Sequence, residues 1–380
     1  MPLSQVLFFW ISYRLSSVLR GTKHATITFS PHELRFEEVV LTILTMVVKS
    51  IFSAARGSKI TGSTQSADKL ILSAPLCLSE KDIARYHRAV CSSTTHPFDI
   101  ASSSLPLFLS AVTEPAMLLL LTSPACPINP LGAVNVRNRF ELLRPDLCHL
   151  DSFTDSCPAT LVASVRNTAR LVKRGVEYDL EVSIMMPDKI KASSVNVVRV
   201  YRQVFIMLEF RKMKRTMEKR ASNPRKPYAH IHVSSVSRLS ISFSKNDPLK
   251  WAALCKDYNF IHLSSLAAKL VGFPGKLAHG NHVVAKAMQQ LEEDNARQDD
   301  ARQDLGNKPT WMEVHFKRPV VVPSNLNVEV QSKTNGTTTL VFQSRSRVCC
   351  RRVWLVVTAS IPIAAFTQQG AHISSAFSCK

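Results

Sequence analysis

Three polar side chains that can exchange or orient protons lie within six residues of one another: Asp257, Asn259 and His262. His279 and Gly280 follow at the predicted start of an apolar helix. General acid–base catalysis needs titratable groups within hydrogen-bond reach of one substrate, and a developing enolate oxygen is stabilised by preorganised N–H donors. A glycine in the first helical turn leaves free N–H groups at the positive end of the helix dipole. This combination favours proton transfer beside a carbonyl oxygen.

Each of these residues also has an ordinary structural explanation. Asp257 and Asn259 are common turn residues, because their side chains bond local backbone. A single histidine such as His262 is more often structural than catalytic, and His279 could either cap the helix or contact a ligand. The functional interpretation rests on the proximity of these residues in the sequence, because an acid, an amide, imidazoles and a glycine lie together between two helices.

Composition indicates a globular protein. The chain has 380 residues, 45% of them hydrophobic, which is enough for packed cores and predicts two or three domains. The net charge of +20 raises nucleic acid or an anionic membrane as a partner. Much of the excess lies in 211–226, where Glu218 is the only acid, and such runs are usually solvated linkers. Aromatic residues are not interleaved with the basic ones, which argues against nucleic-acid binding. A basic surface also suits the phosphates of coenzyme A or an acidic carrier protein.

The N-terminal region has the composition of a targeting segment. Residues 1–30 contain basic and hydroxyl side chains, and no acid precedes Glu33. This composition resembles a mitochondrial transit peptide, with a short secretory signal or an incidental extension as alternatives. The apolar run 39–48 is too short to span a bilayer, so we expect no transmembrane helix. The final three residues are not the peroxisomal Ser-Lys-Leu signal, which leaves mitochondrion or cytosol as the expected location.

The two halves of the chain have the same order of predicted elements. In the first, Ser79 caps a helix, an apolar helix covers 105–121 with a break near Glu114 and Pro115, and antiparallel strands follow. The second half repeats helix, apolar helix and strands, which suggests two copies of one α+β unit, a long helix wrapped by a curved sheet. We predict an N-terminal extension, a first repeat, a basic linker, a second repeat and a tail: 1–68, 69–210, 211–236, 237–365 and 366–380.

The second half also resembles a known family. The segments 257–262, 267–274 and 277–280 closely resemble the hydratase signature of MaoC-like dehydratases, also called R-specific enoyl-CoA hydratases, and 313–323 is similar to the family's strand after the helix. Residues 129–139 resemble the first, non-catalytic repeat of double hot-dog 3-hydroxyacyl-thioester dehydratases. Phe260 replaces the usual proline and Asn281 a common methionine, which leaves the reacting groups intact. The first half has no Asp-x4-His motif, so we expect one active site.

The resemblance implies an α+β double hot-dog fold and reversible syn addition of water to a trans-2-enoyl thioester, giving the (R)-3-hydroxyacyl thioester. It implies that Asp257 and His262 hold the water, and that the Gly280 N–H stabilises the thioester oxygen. Expected substrate contacts are Asn259, Phe273, Ala278 and His279.

The same resemblance implies no metal or cofactor. The expected partner is an acyl-CoA or an acyl-carrier-protein thioester, with no nucleic acid. The repeats would form a pseudo-dimer within one chain, and a homodimer of whole chains is compatible with this arrangement. Two other classes stay open, a catalytically inactive acyl-thioester-binding or scaffold protein of the same fold and a nucleic-acid-binding protein.

Overall fold

The structure is a computed structural model. It describes residues 13–55, 69–91, 100, 103–148, 150–153, 159–166, 169–188, 196–210, 233–297, 309–333, 338–344 and 353–359.

The first half consists of an N-terminal segment and one helix-and-sheet repeat. Its helices are α1 (Ser16–Leu19), α2 (Phe36–Ala55), α3 (Glu80–Val90) and α4 (Leu105–Thr122). Its strands are β1 (His24–Thr26), β2 (Lys69–Leu76), β3 (Ala133–Leu142), β4 (Ala159–Arg166), β5 (Arg170–Val172), β6 (Gly175–Asp188) and β7 (Asn196–Phe210). The predicted cap at Ser79 is present as a capping box in which Asp82 accepts from the Ser79 backbone N–H at 3.1 Å.

The second half repeats the order of the first. Its helices are α5 (Asp247–Cys255), α6 (Phe260–Leu263), α7 (Ser265–Leu270) and α8 (Gly280–Arg297). Its strands are β8 (Val233–Phe243), β9 (Thr310–Phe316), β10 (Ser324–Lys333), β11 (Thr338–Ser344) and β12 (Val353–Ala359).

One continuous sheet joins the two halves. Its order is β1-β2-β4-β6-β7-β3-β9-β12-β11-β10-β8, with β5 paired to β6. β3 and β9 meet antiparallel at the centre, with Arg137 opposite His315 and Leu142 opposite Thr310. On either side of this seam the strands follow one another in equivalent order, so the halves are related by an approximate two-fold. Two long helices wrapped by one mainly antiparallel sheet confirm the predicted α+β double hot-dog fold.

α4 is the core of the first repeat and differs from its prediction. All 18 of its residues are buried, and Pro115 lies inside a continuous helix, so the expected break near Glu114 and Pro115 is wrong. Proline removes one helical hydrogen bond and costs about 3 kcal/mol. Each fully buried Leu or Phe contributes about 1.5–3 kcal/mol, and α4 buries at least six of them, so packing outweighs the local defect.

The described part of the N-terminal region is folded onto the first repeat. β1 pairs parallel with β2, with Ala25 opposite Leu72, and α2 packs against α4. The buried Glu38 of α2 forms an ion pair with Arg14. Apolar residues of 13–55 are therefore part of the core of the first repeat, and the prediction of an N-terminal extension over 1–68 remains a prediction.

α4 is the one helix within the described ranges that has the length and hydropathy of a membrane span, and all of it is buried inside the protein. Residues 1–12, most of the predicted basic linker and the predicted tail lie outside the described residues. The predicted limits of the repeats remain predictions.

Candidate active site

The turn after α5 carries the first acid. Lys256 ends α5 in the left-handed conformation, with φ of 57°, and reverses the chain so that Asp257 faces back toward the protein. The Asn259 backbone N–H donates to Asp257 Oδ1 at 3.2 Å. The Asn259 side-chain oxygen accepts from the Ile261 N–H at 3.3 Å and caps α6. Asn259 thus orients the carboxylate through its backbone and starts the helix that carries His262.

His262 presents one ring nitrogen to Asp257. Its Nδ1 lies 3.0 Å from the Leu277 carbonyl oxygen, and since a carbonyl only accepts, Nδ1 carries the proton. Burial lowers the pKa of His262, so the ring is neutral and Nε2 keeps its lone pair. Nε2 lies 3.9 Å from Asp257 Oδ2. This distance is too long for a hydrogen bond but suits two acceptors that share one bridging water.

His279 lies directly against both groups. Its ring stacks on His262 with centroids 3.7 Å apart, and its Nε2 is 3.1 Å from the Asp257 carbonyl oxygen. Burial, and then the neighbouring His262, keeps the pKa of His279 well below its usual range. His279 therefore acts as a neutral donor that fixes the turn. The His279 carbonyl accepts from the Val283 N–H at 3.2 Å. His279 therefore also caps α8, one of the two roles that its sequence position suggested.

Gly280 is the first residue of α8, next to this pair of imidazoles. A Cβ at this position would lie 2.7 Å from Cδ1 and 2.8 Å from Cζ of Phe316 on β9. A side chain at this position would require the Phe316 ring to move. The first backbone N–H groups of a helix have no partner in the helix, so this end offers donors and a positive dipole to a ligand oxygen.

Asp257, His262 and His279 each place a possible metal ligand within 4.8 Å of the others. The protonated Nε2 of His279 donates to the Asp257 carbonyl, so the free lone pair of this ring is on Nδ1, which has no hydrogen-bond partner among the described residues.

A small cavity opens beside Asp257. The cavity has room for about one water molecule. The lining residues are mostly apolar and come from the N-terminal segment, α4 and the turn after α5: Leu34, Val39, Thr42, Ile43, Met46, Leu118, Lys256, Asp257 and Tyr258. The N-terminal segment therefore forms one wall of the space next to the carboxylate, which its sequence does not indicate.

Ala278 and Phe273 are two of the residues predicted to contact the substrate. Ala278 is buried between Leu277 and His279, and its N–H donates to the Val320 carbonyl at 2.8 Å. Phe273 lies in the turn after α7, where its N–H donates to the Ala268 carbonyl at 3.0 Å, and it is not among the residues lining the cavity. Their roles as substrate contacts remain predictions.

Asn281 links the two repeats beneath the site. Its Oδ1 accepts from Asn138 Nδ2 of β3 at 2.8 Å, and its Nδ2 donates to Ser110 Oγ of α4 at 3.1 Å. The next residue, His282, is fully buried, stacks on Trp251 and lies 2.8 Å from the Ala89 carbonyl. Burial lowers the pKa of His282 to about 4, which leaves the ring neutral. The departure from the family pattern at Asn281 thus serves the junction between repeats.

Comparison with known proteins finds relatives of this chain. Residues 223–347 match the model of the MaoC like domain. The chain is 25% identical over 226 residues to 3-hydroxyacyl-thioester dehydratase X of Mycobacterium tuberculosis, covering 60% of this chain and 69% of that protein.

Solved structures share the fold. The crystal structure of HtdX of Mycobacterium tuberculosis is 19% identical with a TM-score of 0.51, covering 76% of this chain and 98% of that one. A MaoC-like dehydratase from Phytophthora capsici is 16% identical with a TM-score of 0.50, covering 76% and 94%. The second half of the chain is therefore similar to a MaoC like domain over residues 223–347, and the whole chain shares the double hot-dog fold of these dehydratases.

Proposed function

We propose that this chain catalyses the reversible addition of water to trans-2-enoyl thioesters, carried on coenzyme A or on acyl carrier protein, to give (R)-3-hydroxyacyl thioesters. The observation that carries the proposal is the pair of acceptors at Asp257 Oδ2 and His262 Nε2, 3.9 Å apart. A water molecule has two O–H donors and can donate one to each. The name of the mycobacterial relative, a 3-hydroxyacyl-thioester dehydratase, supports the same reaction class.

In the proposed hydration, one water molecule is added across the C2–C3 double bond. Asp257 or His262 takes one proton as the water oxygen forms a bond to C3, the C2–C3 double bond becomes enolate-like, and a proton returns to C2 from the same pair. Both acceptors would lie on one side of the substrate, so the addition would be syn. The free N–H of Gly280 and the α8 dipole would stabilise the thioester oxygen, and such a donor contributes about 3–4 kcal/mol to catalysis.

The cavity beside Asp257 would have to widen to take an acyl chain, and its lining suits one. Its walls are mostly apolar, and α2 and α4 supply them from the first half of the chain. A flexible hydrocarbon gains free energy when such a wall removes it from water. The first repeat and the N-terminal segment would thus shape the tail site, while the second repeat holds the reacting groups.

The test is a hydration assay with purified protein and crotonyl-CoA, followed by loss of the enoyl absorbance. We expect activity in the unmodified chain and a decrease of at least about 100-fold in Asp257→Asn and in His262→Ala, the usual effect of removing a general acid–base group. His24→Ala, which changes an exposed histidine on β1, is the matched control and should keep full activity.

Thermal unfolding of each variant shows whether the fold survives. Folded Asp257→Asn and His262→Ala proteins that hydrate crotonyl-CoA at the unmodified rate would disprove the catalytic assignment. An unmodified chain that binds the thioester without turnover would instead favour the inactive acyl-binding alternative.

A further inference from the structure

Glu114 is a buried acid with no assigned role, and it lies in the middle of α4. The residue is 9% exposed, and its Oε2 atom is buried without a hydrogen-bond partner among the described residues. An unpaired buried carboxyl oxygen costs about 1–3 kcal/mol or more. A group of this kind is retained where a ligand completes its hydrogen bonds, which makes its surroundings informative.

The surroundings of Glu114 belong to the Asp257 site. Residues four apart on a helix share a face, and Leu118, one turn after Glu114, lines the cavity together with Asp257. α4 also packs against α5, whose last residue, Cys255, is two positions before Asp257. Glu114 therefore lies on the same face of α4 as Leu118, one helical turn from the cavity that Asp257 lines.

The charge state of Glu114 follows from its neighbours. Burial, and then the negative charge of Asp257, raises the pKa of Glu114 well above its usual value. The other titratable groups facing it are Cys255 on α5 and Tyr201 on β7. Burial raises the pKa of both well above the ordinary values, so each stays neutral near pH 7. Glu114 is consequently a neutral acid, and a neutral carboxyl group has an O–H to donate.

We propose that Glu114 is the hydrogen-bond donor of the site, and that its O–H contacts the oxygen of the water, or of the substrate's 3-hydroxyl group, that lies between Asp257 and His262. This inference rests on the proposed hydratase function. Asp257 and His262 Nε2 offer only acceptors, so the oxygen between them has unpaired lone pairs. A donor from α4 satisfies one of them and stabilises negative charge on the oxygen when the C3–O bond breaks in dehydration.

The proposal predicts how kcat/KM depends on pH. The donor exists only while Glu114 holds its proton, so kcat/KM should fall as pH rises through the pKa of Glu114. Glu114→Gln keeps an N–H donor at every pH, so the variant should retain activity near pH 6 and lose this alkaline decrease. Glu114→Leu removes the donor and should lower kcat about 100-fold, with KM little changed.

A matched control is Glu292→Gln, which alters a half-buried glutamate on the other central helix, where Ser103 and Ser104 contact it. It should leave the pH profile of kcat/KM unchanged. Thermal unfolding shows whether Glu114→Leu is folded. If it is not, Glu114→Gln gives an independent readout, because glutamine has nearly the same shape as glutamate.

The outcomes separate the two proposals. An active unmodified chain whose pH profile coincides with that of Glu114→Gln between pH 5 and 10 would overturn the role of Glu114 and leave the hydratase assignment standing. An unmodified chain without hydratase activity would overturn both.

Discussion

Glu292 gives a sharp test of how burial controls ionisation in this fold. Its carboxyl group accepts from Ser104 Oγ at 3.1 Å and from Ser103 Oγ, and burial raises its pKa from 4.5 to about 8. Between these two values the folded chain holds a proton that the unfolded chain has released. Stability therefore falls as pH rises through this window, by about 1.4 kcal/mol per pH unit, and this sums to about 5 kcal/mol by pH 8.

The Glu292→Gln variant removes this dependence, because the amide cannot ionise and its oxygen can still accept from the serines. We expect it to match the unmodified chain at pH 5 within about 1 kcal/mol and to be several kcal/mol more stable at pH 9. Urea unfolding of both proteins at pH 5, 6, 7, 8 and 9 measures the difference.

Ser104→Ala provides a second arm of the same test. Loss of the hydroxyl removes a hydrogen bond that favours the ionised carboxylate, so the pKa of Glu292 should rise further and the loss of stability should extend to higher pH. A difference between Glu292→Gln and the unmodified chain that stays constant from pH 5 to pH 9 would refute the reasoning.

Two further predictions concern the walls of the site. Gly280→Ala should destabilise the fold by about 1–3 kcal/mol and abolish hydration, because Cβ would overlap the Phe316 ring. The added change Phe316→Leu should recover much of the stability. A single variant that unfolds like the unmodified chain would contradict this prediction. Met46→Trp fills the cavity and should lower kcat/KM for trans-2-dodecenoyl-CoA about 10-fold while sparing crotonyl-CoA. Leu44→Trp, on the exposed side of α2, is its control, and equal loss for both substrates would argue against a tail site there.

The sequence predicted the order of the elements because their periodicity is strong. The capping box at Ser79, the apolar helices and the alternating strands of both halves lie close to their predicted ranges. These features depend on neighbours within a few residues. Pro115 shows the limit: its local effect is to break a helix, and only the burial of α4 on all sides, which no local pattern reveals, keeps the helix continuous.

The site was predictable where its residues are close in sequence and not where they come from distant elements. Asp257, His262, His279 and Gly280 fall within 24 positions, and the structure brings them together. Glu114 lies 143 positions before Asp257 inside an apolar run, and Asn281 bonds to Asn138 across the two repeats. The cavity wall from α2 likewise depends on tertiary packing. The one signal for Glu114 in the sequence was its charge, because it lies inside the mainly apolar run of residues 105–121.

The central seam of the sheet has a consequence for synthesis on the ribosome. β3 ends at residue 142 and its partner β9 begins at residue 310, so about 170 residues must be added before β3 gains its second neighbour. At about 5–20 residues per second, this strand waits roughly 10–30 s with one edge of unpaired backbone groups. A nascent first repeat is thus a natural client for chaperones, and truncation before β9 should yield a chain that aggregates through this edge.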